Sequence, residues 1–127
     1  MARFDSVTEA GLQTLIARFY GRVREDGVLG PVFEAAVGDW DAHEAQLGRF
    51  WASVILGARS FKGEPLGVHR RLPIRPEMFQ RWLSLWETTV GELFEPEPAE
   101  ALITAARRIG SSLQLGLFYR PASEAAE

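Results

Sequence analysis

From Leu12 to Leu117 the apolar residues recur at spacings of three and four, and no stretch alternates with the period of two that a half-buried strand needs. That periodicity restricts the chain to helices packed on helices. Ser6 or Thr8 can cap a first helix running to about Asp26, with Leu12, Leu15, Ile16, Phe19, Tyr20 and Val23 on one face. Gly27, Gly30 and Pro31 break the pattern, so VLGPVFEAAVG reads as tight turns of 3₁₀ type around Phe33 rather than as a full helix. Asp39 can cap a helix whose inward positions are Trp40, His43, Leu47, Phe50, Trp51 and Val54.

A further helix is expected from Pro76 to about Phe94, with Phe79, Trp82, Leu83, Trp86, Val90 and Leu93 inward. The last begins near Pro98 and carries Leu102, Ile103, Ala106, Ile109, Leu113 and Leu117. Between these long elements lies a short one. Pro65 can open a helix from about Glu64 to Leu72, while Pro73 and Pro76 stop it from running on, and Leu66, His69 and Leu72 share its inner face. A plain four-helix bundle has no use for a short helix bracketed by prolines. The irregularity points to an embedded ligand.

Length allows one domain, placed at residues 1–120, with the small polar tail 121–127 expected to be disordered. A net charge of −3, with arginines interleaved among acidic residues, forms no basic patch and argues against nucleic acid or an anionic membrane as partner. The amino terminus has neither a signal peptide nor a membrane anchor, which makes the cytoplasm the expected compartment. There is no cysteine, so only nitrogen and oxygen remain as metal ligands.

Both histidines fall on apolar helix faces. An unsatisfied polar group in a core costs about 1–3 kcal/mol, so each imidazole needs a hydrogen-bond partner or a metal. Zinc would want three or four protein ligands, and a di-iron bundle would want paired Glu-x-x-His repeats, neither of which is present. Haem needs one protein ligand and a large apolar slot. Phosphate-cradling, dinucleotide-binding and nucleophile-elbow motifs are all missing.

The ordered segments LIARFYGRVREDGVLGPVF, DWDAHEAQLGRFWASVILG and GEPLGVHRRLPI followed by PEMFQRWLSLWE resemble the truncated haemoglobins, and within them group III. The resemblance implies an all-α, truncated globin-like two-over-two helical sandwich around haem b. It implies His69 as the proximal iron ligand, Tyr20 as a distal hydrogen-bond donor, Trp82 as an indole donor on the same side and Phe33 as a wedge against the porphyrin. A histidine at the position of His43 is typical of group III, and Leu47 matches the usual apolar distal residue. Phe19, Phe50, Leu66, Leu72, Ile74, Phe79 and Trp86 are expected to contact the cofactor from the surrounding helices. Two departures stand out: the paired-glycine motifs of groups I and II are not evident, and Gln46 stands where a basic residue often meets a propionate. Arg49, Arg70, Arg71 or Arg75 could serve instead, and Arg70 beside His69 is included in the cofactor set.

Two donors at ~1–1.5 kcal/mol each in a dry pocket would tighten O₂ by roughly one to two powers of ten. Oxygen held so tightly suits redox chemistry on the bound ligand, either NO dioxygenation or a peroxidase-like reaction, with Tyr20, His43 and Trp82 as its working residues and a reductase as partner. His43 could shuttle a proton, gate the pocket or bind iron. The alternatives are a haem-based sensor or O₂ store without turnover, and a helical interaction module without cofactor. O₂, NO and CO are the expected ligands. The expected oligomeric state is a monomer or weak dimer, Trp40, Trp51 and Trp86 being candidates for its surface but at spacings more usual in a core.

Overall fold

The structure is a computed structural model that describes residues 3–57, 69 and 72–118. Five α-helices follow one another: α1 (Glu9–Glu25), α2 (Gly30–Ala36), α3 (Trp40–Leu56), α4 (Pro76–Leu93) and α5 (Pro96–Phe118). Helices α1 and α3 pack together, as do α4 and α5. The first pair lies on the second through α1 against α4 and α3 against α5. The result is a two-over-two sandwich.

Local chemistry sets the ends. Thr8 caps α1 by accepting from the Gly11 N–H at 3.0 Å, and Glu9 and Arg22 with Arg24 stand at the dipole ends that favour their charges. Asp39 caps α3 at 3.1 Å through the Ala42 N–H, and Gly57 closes it in the left-handed conformation. Pro76 and Pro96 occupy first positions, where a missing N–H costs nothing. At the amino terminus Phe4 exchanges backbone bonds with Leu93 and Glu95, sealing the α4–α5 corner.

The corner expected as 3₁₀ turns is instead a seven-residue α-helix, α2. Its start is organised by Asp26, whose carboxylate accepts from the N–H groups of Val28 and Leu29 and from the Arg81 guanidinium on α4. Gly30 is what lets α2 approach so closely, since a Cβ there would lie 2.7 Å from the Arg24 carbonyl oxygen. Val54, expected inward, is exposed on α3. The short helix around His69 lies mostly outside the described residues; His69 itself is helical.

The core centres on Trp86, fully buried and stacked on Trp51 at 4.4 Å between ring centroids, with Phe19 edge-on at 5.0 Å. Its indole N–H donates to the Leu102 carbonyl at 3.1 Å. Trp51 and Trp86 are therefore core rather than surface. Among the described residues no helix is long and apolar enough to cross a membrane.

Candidate functional site

The apolar stripes of the four long helices do not meet everywhere. Between α1, α2 and α3 on one side and α4 and α5 on the other, a half-enclosed cavity of about 230 Å³ remains. Tyr20 from α1, Leu29, and Val32, Phe33 and Ala36 from α2 form one part of its wall. His43, Gln46, Leu47, Phe50 and Trp51 come from α3, then His69, Leu72 and Ile74, then Met78, Phe79 and Trp82 from α4. Ile109, Gly110 and Leu113 of α5 close the far side. Among the described residues no carboxylate lines it.

Few polar tips enter this space. Tyr20 is 3% exposed, and the Trp82 indole, a donor only, lines the same wall. Burial is the main cause that pushes the Tyr20 pKa up to about 12; the Trp82 indole opposes it and the Glu44 charge adds to it. The phenol is thus a neutral donor throughout the physiological range. Beside Tyr20, at 5.8 Å between ring centroids, His43 has an Nε2 that is buried without a hydrogen-bond partner. Its pKa is lowered, first by burial and then by the charge of His69, so the two imidazoles share one electrostatic environment.

The residues suit a haem. An orphaned imidazole nitrogen in an apolar wall is a group in want of a polar partner. Among the described residues no group of three or more His, Asp or Glu could cage a bare metal ion. A flat apolar cofactor that brings four nitrogens of its own asks for one imidazole, and His69 stands in the wall.

Of the residues singled out from sequence, Tyr20, Phe33, His43, Leu47, Phe50, His69, Leu72, Ile74, Phe79 and Trp82 come together around the cavity. Phe19 and Trp86 do not line it. They stand one layer behind, Phe19 packed edge-on against Tyr20, Trp82 and Trp86. Leu66, Arg70 and Arg71 lie outside the described residues. Arg49 is exposed and absent from the wall, and Arg75 is exposed and paired with Glu77 at 2.9 Å. Met78, Ile109, Gly110 and Leu113 were not anticipated as wall. Ile109 and Leu113 lay on the inward stripe of α5, but periodicity cannot tell a core face from a cavity wall.

No family model matches the chain. Among curated proteins, group 3 truncated hemoglobin ctb of Campylobacter jejuni is 34% identical over 121 residues, which span 91% of this chain and 95% of that protein. The crystal structure of group III truncated hemoglobin from Campylobacter jejuni matches with a TM-score of 0.88 at 33% identity, covering 92% of this chain and 96% of that one. The chain belongs to the group III truncated haemoglobins. Its two-over-two sandwich is the truncated globin fold, that of a globin-type haem protein. This truncated haemoglobin spans nearly the whole length of the relatives it matches.

Proposed function

We propose that this truncated haemoglobin binds haem b through His69, takes O₂ and the related ligands NO and CO on the opposite side, and carries out redox chemistry on the bound ligand. NO dioxygenation is the reaction favoured, with a peroxidase-like reaction as its neighbour. The observation that carries this reading is the cavity wall that brings the Tyr20 phenol, the Trp82 indole and both histidines together in an otherwise largely apolar lining. When bound, the haem would supply a binding site for the gas and the one electron that O₂ and NO consume in forming nitrate, which an external reductase must then replace.

The chain's own residues supply the rest. Phe33, Leu47, Phe50, Leu72, Ile74 and Phe79 exclude water, which strengthens any hydrogen bond made inside. Tyr20 gives its O–H to the ligand, and the Trp82 indole N–H in the same wall is a second donor available to it. His43, held neutral by burial, can accept a proton at Nε2 when peroxide is the ligand.

One bond of ~1–1.5 kcal/mol corresponds to about a tenfold change in rate. Tyr20→Phe should therefore release O₂ about ten times faster in stopped-flow mixing, and an unchanged rate removes Tyr20 from the mechanism. Mixing the oxygenated protein with NO should give nitrate in equal amount. Absence of nitrate would leave a binding protein without turnover.

A further inference from the structure

His43 lacks a hydrogen bond at its buried Nε2, so that nitrogen does nothing to fix the ring's direction. Ring contacts must do so instead. Three are present: Tyr20 edge-on at 5.8 Å, Phe33 edge-on at 6.5 Å and Trp40 perpendicular at 5.6 Å. Tyr20 and Phe33 belong to the cavity wall, whereas Trp40 stands behind His43 and does not line the cavity. The Trp40 indole N–H is itself buried without a partner, so a hydrogen bond does not hold this ring either. What holds it is stacking on Phe33 and the guanidinium of Arg24, which lies 4.6 Å from the ring centroid. Arg24 is fixed in turn by Glu34 on α2 at 2.9 Å.

We infer that Trp40 is the positioning residue for His43, and that Arg24 and Glu34 form a surface latch that keeps Trp40 seated. The inference rests on the proposal that His43 acts on the ligand side of the cavity. It adds that the orientation of His43 is set from outside the pocket, through one indole clamped where the ends of α1, α2 and α3 meet. An exposed ion pair thereby reaches the ligand without any of its members touching it.

The test uses the haem-loaded ferrous protein with CO as probe. Two readouts are taken: the CO association rate after flash photolysis, and ¹⁵N relaxation of the labelled His43 ring in the CO form. Loss of one aromatic contact shifts an orientational equilibrium by about tenfold, and loss of an exposed cation over a ring by roughly two- to fivefold. Trp40→Ala should therefore loosen the His43 ring and alter CO association about tenfold. Trp40→Phe, which keeps an edge for the imidazole, should stay within about twofold of the parent. Arg24→Met should give the smaller, roughly two- to fivefold change on both readouts.

If Trp40→Ala fails to fold, Trp40→Leu and Arg24→Met decide the matter. Lower melting temperatures with unchanged ring relaxation and CO association would reduce Trp40 to a structural residue and overturn the inference. His43→Leu separates the two ideas. If it alters CO association while the Trp40 and Arg24 variants do not, the latch is wrong and the role of His43 stands. If His43→Leu leaves CO association unchanged, the role of His43 fails, and the latch fails with it.

Discussion

The cavity has two unlike walls. Behind the α1–α4 side the polar groups are partnered: Trp86 with the Leu102 carbonyl, Arg22 with Thr89 and Glu92, and Asp26 with Arg81. The large side chains behind that wall, Phe19 and Trp86, are completely buried. On the α2–α3 side the lining residues Phe33, Leu47 and Phe50 are only partly buried, and the Nε2 of His43 and, behind it, the indole nitrogen of Trp40 have no partner. A partnered, filled wall holds one geometry, whereas a wall made of ring contacts has neighbouring arrangements close in energy. The first suits a donor that must point one way, the second a histidine that must yield to a ligand.

If that contrast is real, the largest effect belongs to the filled wall. Trp86→Ala removes a fully buried indole and its hydrogen bond and should cost about 3–5 kcal/mol in chemical denaturation. A cost below ~1 kcal/mol would mean that this wall is as yielding as the other.

Asp26→Ala comes next. The carboxylate, 4% exposed, holds the first N–H groups of α2 and the Arg81 guanidinium, so its loss should cost about 1–2 kcal/mol near neutral pH. The Asp26 pKa lies below its ordinary 3.8, chiefly through the Arg81 bond. Its contribution is therefore present above that value and is lost as the pH falls through the folded-state pKa, where parent and variant should converge. Unfolding curves at neutral and acid pH check both statements.

Tyr20 gives a smaller effect of opposite sign. Its pKa is raised to about 12, so the stability it contributes is complete below the ordinary phenol value of 10.0 and declines as the pH climbs from there towards 12. The Tyr20→Phe protein should lack that alkaline decline in a stability-against-pH series. The smallest change is expected on the open wall, where exposed Gln46→Ala should move stability by no more than ~0.5 kcal/mol.

Much of this architecture was legible in the sequence. Caps at Thr8 and Asp39 and prolines at 76 and 96 mark helix starts because each answers a local need of the backbone. What periodicity could not supply was the neighbour of each apolar face. Trp82 and Trp86 lie one turn apart on the same helix, yet one ring lines the cavity with Tyr20 while the other packs on Trp51. Helix α2 was missed because its stability comes from Asp26 and the distant Arg81, and from a close approach that glycine at position 30 permits. The Arg24–Trp40 contact was likewise hidden, since a charge above an aromatic ring leaves no spacing rule in the chain.

The proposed chemistry presupposes a haem held by one imidazole. The visible spectra of ferric, ferrous and CO-bound protein, parent against His69→Ala, address that point. The parent should show the spectrum of a histidine-ligated haem, and the variant should lose it and recover it when free imidazole is added. A variant that binds haem with an unaltered histidine-ligated spectrum would contradict the assignment of His69.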